Sequence, residues 1–181
     1  MKADGRDHAH QARVRRVLAQ VLHQRGDTAA ARQQLLEAIA IDRRWAGDQH
    51  PDVDTDLFAL AMVEIGDNDW QRAEVTLRDV VARDQQRFGQ RHPMTLISRA
   101  QLASVTGNEG HFDDAERDYR EVLALMREVL PADHLELATT LANFATLLQR
   151  QRRFDEAAPL YEEALAIRQR VLPPEHPAVL T

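Results

Sequence analysis

Cysteine is absent from the chain, which removes disulfide frameworks and thiolate metal sites from consideration. Glycine and proline are scarce, at seven each in 181 residues, and aromatic residues make up only 5%. No apolar run approaches the ~20 residues that span a bilayer. The opening Met1-Lys2-Ala3-Asp4-Gly5-Arg6-Asp7 is polar and lacks the apolar stretch of a secretory signal. Lysine is almost missing as well: of 23 basic residues only Lys2 is a lysine. The net charge of −6 works against nucleic-acid binding, which draws its affinity from cations on phosphates. These absences lead us to expect a cytoplasmic chain with neither a nucleic-acid nor a membrane partner. What is abundant is Leu, Ala, Arg, Glu and Gln, a composition that favours helix.

The strongest positive signal is a period. Histidine recurs at His8, His50, His92, His134 and His176, each 42 residues from the last. Proline follows at Pro51, Pro93 and Pro177, replaced by Ala9 in the first unit and Leu135 in the fourth. Other columns keep the same register. Leu18-Ala19, Leu60-Ala61, Leu102-Ala103 and Phe144-Ala145 form a large-small pair, and Ala31, Ala73, Ala115 and Ala157 a second small column. Leu35, Leu77, Tyr119 and Tyr161 fill a third, and Ala38, Val80, Val122 and Ala164 a fourth.

Each unit reads as two helices. In the fourth, Leu141, Phe144, Ala145 and Leu148 fall at i, i+3, i+4 and i+7, and Ala157, Leu160, Tyr161, Ala164 and Ile167 repeat the stripe after a polar break. Alanine in these stripes allows close helix approach, because side chains at the crossing set the interaxial distance. Gly26, Asn68, Gly110 and Arg152 occupy the turn between helices. Gly suits the left-handed conformation that ends a helix, so Arg152 predicts a slightly different turn. Proline at a first helical position loses no hydrogen bond, and Asp52, Asp54 and Asp56 would favour the dipole of the helix they open. The expected organisation is a polar tail over 1–7, units at 8–49, 50–91, 92–133 and 134–175, and the start of an incomplete fifth unit at 176–181.

The run Leu141-Ala142-Asn143-Phe144-Ala145 through Phe154-Asp155-Glu156-Ala157-Ala158-Pro159-Leu160-Tyr161, closing with Val171-Leu172-Pro173-Pro174-Glu175-His176-Pro177, resembles tetratricopeptide repeats of the 42-residue, kinesin-light-chain-like type. The resemblance covers residues 8–181 and is weakest in the first unit. It implies an all-α, right-handed solenoid of helix-turn-helix repeats whose first helices line a concave groove, with protein-protein interaction as the activity, often within a larger bacterial signalling protein. Arg15 and Arg99 depart from it, standing where Leu57 and Leu141 show an apolar column, and Thr28 stands where Trp70, Phe112 and Phe154 are aromatic. The first unit is therefore expected to act partly as a cap, which solenoids need for solubility. The chain stops a few residues into what reads as a fifth first helix, so it is either a fragment or leaves its C-terminal face uncovered.

Successive histidines stand on the order of 10 Å apart, the spacing of packed helices, and cannot share an ion whose ligands lie ~2 Å away. They are expected to cap or pack at unit boundaries, with no metal and no cofactor. The acidic runs Asp113-Asp114-Glu116-Asp118 and Glu162-Glu163 fall on outer faces of second helices, with no residue spaced to complete a catalytic set, so no enzyme is expected. Groove candidates are the residues beside each first-helix stripe: Arg13, Arg16, Gln20 and His23; Thr55, Phe58, Met62 and Ile65; Ile97, Ser104 and Asn108; Thr139, Asn143, Thr146, Gln149 and Arg150. The resemblance implies that Asn143 hydrogen-bonds the backbone of an extended peptide. Its column holds Val17, Ala59 and Gln101 elsewhere, so that ladder is incomplete. An Arg13-Arg15-Arg16 cluster could take an acidic segment, although a solvated basic face explains it as well. The chaperone-type clamp for C-terminal carboxylates lacks its full residue set. The partner expected is thus a protein or peptide, the alternative being a homodimer through the uncapped C-terminal face.

Overall fold

The computed structural model describes residues 3–173 and 175–177. Among the described residues eight helices follow one another: α1 (Ala3–Gln24), α2 (Thr28–Ala46), α3 (Pro51–Gly66), α4 (Trp70–Phe88), α5 (Pro93–Asn108), α6 (Phe112–Val129), α7 (Leu135–Arg150) and α8 (Phe154–Val171). Among the described residues there is no strand, and the chain is an all-α repeat fold. Helix α1 starts at Ala3 and so takes in most of the segment read as a polar tail. Residues 178–181, the rest of the expected fifth unit, lie outside the described residues.

The boundaries follow from local chemistry. His50, His92 and His134 cap α3, α5 and α7: each Nδ1 accepts from the backbone N–H two residues on, at Asp52 (3.3 Å), Met94 (3.2 Å) and Glu136 (3.2 Å). A capping imidazole satisfies one of the donors that open every helix. The histidine ladder is thus a row of caps, with Pro51 and Pro93 at the first helical positions. His8 departs from the row, lying inside α1 and stacking on Trp45 with ring centroids 3.9 Å apart. Helices α6 and α8 end at Val129 and Val171, just ahead of Pro131 and Pro173.

The four turns inside the helix pairs share one backbone form, and this corrects the expectation for Arg152. Gly26, Asn68, Gly110 and Arg152 have φ of 80°, 58°, 96° and 63°. The N–H after each bonds a carbonyl five residues back, as in Arg153 to Leu148 (3.0 Å) and Asp27 to Leu22 (2.9 Å). Arg152 takes the left-handed form although arginine does not prefer it. A left-handed non-glycine residue carries roughly 1–2 kcal/mol of strain, part of which glycine's extra unfolded-state entropy would cancel. Arg152→Gly is therefore expected to raise unfolding stability by about 0.5–1 kcal/mol, measured by denaturant titration. A lower midpoint would contradict this account.

The chain divides into two compact units, Met1–Arg83 and Asp84–Thr181, with α4 beginning in the first and ending in the second. In the first unit, Ala19, Ala31, Leu35, Ile39, Val53, Leu57, Leu60, Val63 and Val80 form one apolar cluster. In the second, Tyr119 and Leu123 of α6 pack with Leu141, Phe144 and Leu148 of α7 and with Ala157 and Ile167 of α8. Both alanine columns are buried in every unit, from Ala19 and Ala31 to Ala145 and Ala157. Arg15 and Arg99 replace an apolar contact by ion pairs to the second helix of their own hairpin, at Glu37 (2.5 Å) and Glu121 (3.1 Å).

On α1 the apolar side chains of Val14, Val17, Leu18 and Val21 are exposed.

Candidate partner-binding surface

In the second unit, α5 and α7 lie side by side and flank a small, open concavity. Its walls are Ser104 and Asn108 from α5, Asn143, Thr146, Leu147 and Arg150 from α7, and Tyr119 from α6. Five of these seven are among the groove residues read from the sequence. Periodicity put them on the uncovered side of their helices, and the hairpin stacking brings the two rows together.

The concavity is polar and pre-ordered. Asn108 donates to Ser104 O (2.9 Å), and its Oδ1 accepts from Arg150 Nη1 (2.8 Å). The same nitrogen reaches Gly107 O (3.3 Å), and the guanidinium lies over the Phe112 ring at 5.6 Å. Arg150 is thereby held in one orientation by groups of the chain itself. The Tyr161 hydroxyl donates to Gln149 Oε1 (2.9 Å) and lies 2.9 Å from Thr146 Oγ1. Tyr119 repeats this arrangement one unit earlier, its phenol paired with Ser104. Burial pushes that phenol well above its ordinary range, so it stays a neutral hydroxyl. Asn143 differs: no described residue bonds its half-buried carboxamide. It lines the concavity, and a carboxamide carries both a donor and an acceptor.

The remaining candidates scatter. Ile97 packs against the second unit's core, and Thr139 donates back to Leu135 O (3.0 Å). In the first unit Arg13 and Gln20 are exposed, while Thr55 donates to Pro51 O (3.0 Å). Phe58 packs against that unit's core, with Met62 and Ile65 half-buried beside it in sequence. His23 is pressed against Gly66, where a Cβ would collide with the ring.

Arg16 is committed elsewhere. Its Nε lies 3.1 Å from Asp56 Oδ1, and Asp56 is fully buried. Asp56 faces Asp42, also buried, and neither Asp56 oxygen finds a hydrogen-bond donor. Burial is the main cause that pushes the Asp56 carboxyl up to about 7, with Asp42 and Asp52 adding to it and Arg16 opposing. Asp42 is raised too, again chiefly by burial. Of the three acids read as dipole partners, Asp56 is instead an interior carboxyl. Sequence reasoning also missed Glu64, which is buried with Arg32 at 3.2 Å and Thr76 donating at 2.7 Å. Glu64 borders a second concavity with Arg32, Asp69 and Arg72, whose charges pair among themselves.

Comparison with known proteins accords with this geometry. Nearly identical TPR-like repeats of a Podosopora anserina protein described as a kinesin light chain superimpose with a TM-score of 0.76 at 25% identity, covering 96% of this chain and 82% of that one. BtubC (BKLC) from P. vanneervenii gives 0.74 at 18% identity, over 91% of this chain and 66% of its own. A Rap protein complexed with Competence and Sporulation Factor gives 0.72 at 12%, over 89% and 43%. None of the curated proteins matches the chain. The Tetratricopeptide repeat family model matches residues 11–86 and 94–170, and on that extent of agreement the chain belongs to the tetratricopeptide repeat family.

Proposed function

We propose that this chain is a protein-interaction scaffold that holds an extended polypeptide segment in the concavity between α5 and α7. The observation that carries the reading is the free Asn143 carboxamide set beside an Arg150 already fixed by Asn108 and Gly107. A carboxamide that can donate and accept at once matches a peptide unit, which does the same. Arg150 spends Nη1 on the protein and keeps its other N–H groups for a carboxylate or carbonyl of the segment. That the Rap neighbour was solved with Competence and Sporulation Factor supports a binding role for repeats of this fold. The other candidate residues, including Arg13, Gln20 and Thr55, serve in this reading as a flanking surface.

A random peptide library panned against the wild-type chain supplies the probe, and fluorescence polarisation measures it. Asn143→Ala and Arg150→Ala are each expected to weaken the selected peptides by about 10-fold or more, since each removes hydrogen bonds worth ~1.5 kcal/mol or above to a buried or charged partner. Peptides that bind both variants as they bind the wild type would place the site elsewhere.

A further inference from the structure

The exposed stripe on α1 has an internal standard against which to read it. Val14, Val17, Leu18 and Val21 stand at i, i+3, i+4 and i+7, and are 50%, 56%, 43% and 46% exposed. One period later in α3, and three periods later in α7, the columns of Val14, Leu18 and Val21 are closed. Asp56, Leu60 and Val63 are buried in α3, as are Thr140, Phe144 and Leu147 in α7. What closes them is the second helix of the hairpin before. Leu60 and Val63 share a cluster with Leu35 and Ile39 of α2. Phe144 stacks on Tyr119 of α6 with centroids 5.5 Å apart.

Helix α8 carries the other half of the same contact, also open. Tyr161 stands in the column of Leu35 and Tyr119, and Leu165 in the column of Ile39 and Leu123. Those four counterparts are at most 3% exposed, whereas Tyr161 and Leu165 are 36% and 39% exposed. Tyr161 is already held as Tyr119 is, its hydroxyl bonded to the first helix of its own hairpin. The two surfaces occupy the repeat positions that pack on each other inside the chain, with Leu18 and Val21 matching Leu60 and Val63, and Tyr161 matching Tyr119.

We propose that α8 of one copy of this chain docks on α1 of another, Tyr161 lying against Leu18 as Tyr119 lies against Phe144. The contact is heterologous: it joins two different surfaces, so each addition leaves one α1 face and one α8 face free. It continues the repeat stacking from one molecule into the next, and it differs from a pairing of two C-terminal faces. One helix-pair contact is smaller than a standard stable interface, so association should set in at about 10–100 µM.

Sedimentation equilibrium of the full chain tests this. The wild type should show a mean mass that rises with concentration and passes beyond the dimer. Leu18→Asp spoils only the α1 face and Leu165→Asp only the α8 face, so each alone should stay monomeric. An equimolar mixture should form a dimer and stop there, because one good face of each kind remains. A wild type that stays monomeric to several hundred micromolar would overturn the proposal. So would self-association of Leu165→Asp alone, which signifies an α1–α1 contact, or of Leu18→Asp alone, which signifies an α8–α8 contact. Circular dichroism checks the folding of each variant, and Val14→Arg with Tyr161→Arg gives a second pair of exposed substitutions should either aspartate unfold its hairpin.

Discussion

Asp56→Asn is expected to stabilise the chain, and to do so more strongly at pH 8 than at pH 5. Asp56 is wholly buried, faces Asp42, and is pushed up to about 7 chiefly by burial. A carboxyl raised above its unfolded value binds its proton more tightly in the folded state, so the folded chain loses stability as pH rises from the unfolded value towards 7. Below pH 4 the penalty vanishes; above 7 it is complete. The interval from pH 5 to 7 corresponds to about 2–3 kcal/mol. Asparagine removes the titration and supplies an N–H that Asp42 can accept. The second unit already shows that solution, since Ser98, in the column of Asp56, donates to Asp84, in the column of Asp42, at 2.6 Å. Arg16 would keep Asp52, 3.9 Å from its Nη2, as a charged neighbour. Denaturant unfolding of wild type and variant at the two pH values gives the difference directly. The carboxylates of Asp48, Glu116 and Glu156 shift the opposite way, held down mainly by arginine hydrogen bonds, and their stability is lost only as pH falls through the acid range. Their contribution therefore lies below the interval in which Asp56, with the raised Asp42 beside it, sets the pH dependence. A stabilisation that is the same at both pH values would show that Asp56 ionises normally in its buried position.

The sequence made the repeat legible because each column repeats the same packing problem. Alanine at 19, 61, 103 and 145 and at 31, 73, 115 and 157 is buried each time, so period and burial agree. Helix ends were legible for the same reason, since histidine and proline recur where a cap and an N-terminal turn recur. What escaped was any residue whose role depends on one unit differing from the rest. Asp56 lies in a column otherwise occupied by Val14, Ser98 and Thr140, and Glu64 in one holding Leu22, Thr106 and Leu148. Each is an acid among smaller or apolar residues, and that contrast was the available signal. Its meaning was not available, because only the tertiary fold sets Asp42 and Arg16 around one and Arg32 and Thr76 around the other. Arg152 escaped for a related reason. Its intrinsic preference argued for a different turn, but the chain closes there in the same left-handed form as at Gly26, Asn68 and Gly110. The groove was legible as a row of positions and no further, since whether a side chain stays free or turns inward depends on neighbours such as the Gly66 that receives His23.

Phe144→Ala is expected to be among the most destabilising single changes in the chain, whereas Leu18→Ala, in the same column, is expected to cost little. Phe144 is buried, stacks on Tyr119 and carries the Arg120 guanidinium over its ring at 5.5 Å. Truncation removes the ring's transfer free energy and leaves a void that neighbouring alanines at 103, 115 and 145 cannot fill by moving a side chain. The expected loss is about 3–5 kcal/mol. For a chain of this length that corresponds to a fall of roughly 6–20 °C in the melting temperature. Leu18 is 43% exposed, so its methyl groups already spend much of their surface in water. Its truncation should cost below about 1 kcal/mol in dilute solution. The pair separates two causes that column identity alone confounds. If the repeat pattern itself conferred stability, both substitutions would hurt alike; if burial confers it, only the one with a preceding second helix does. Thermal unfolding at low micromolar concentration decides between them, and a Leu18→Ala loss that grows with protein concentration would reveal the covering of that face by another copy.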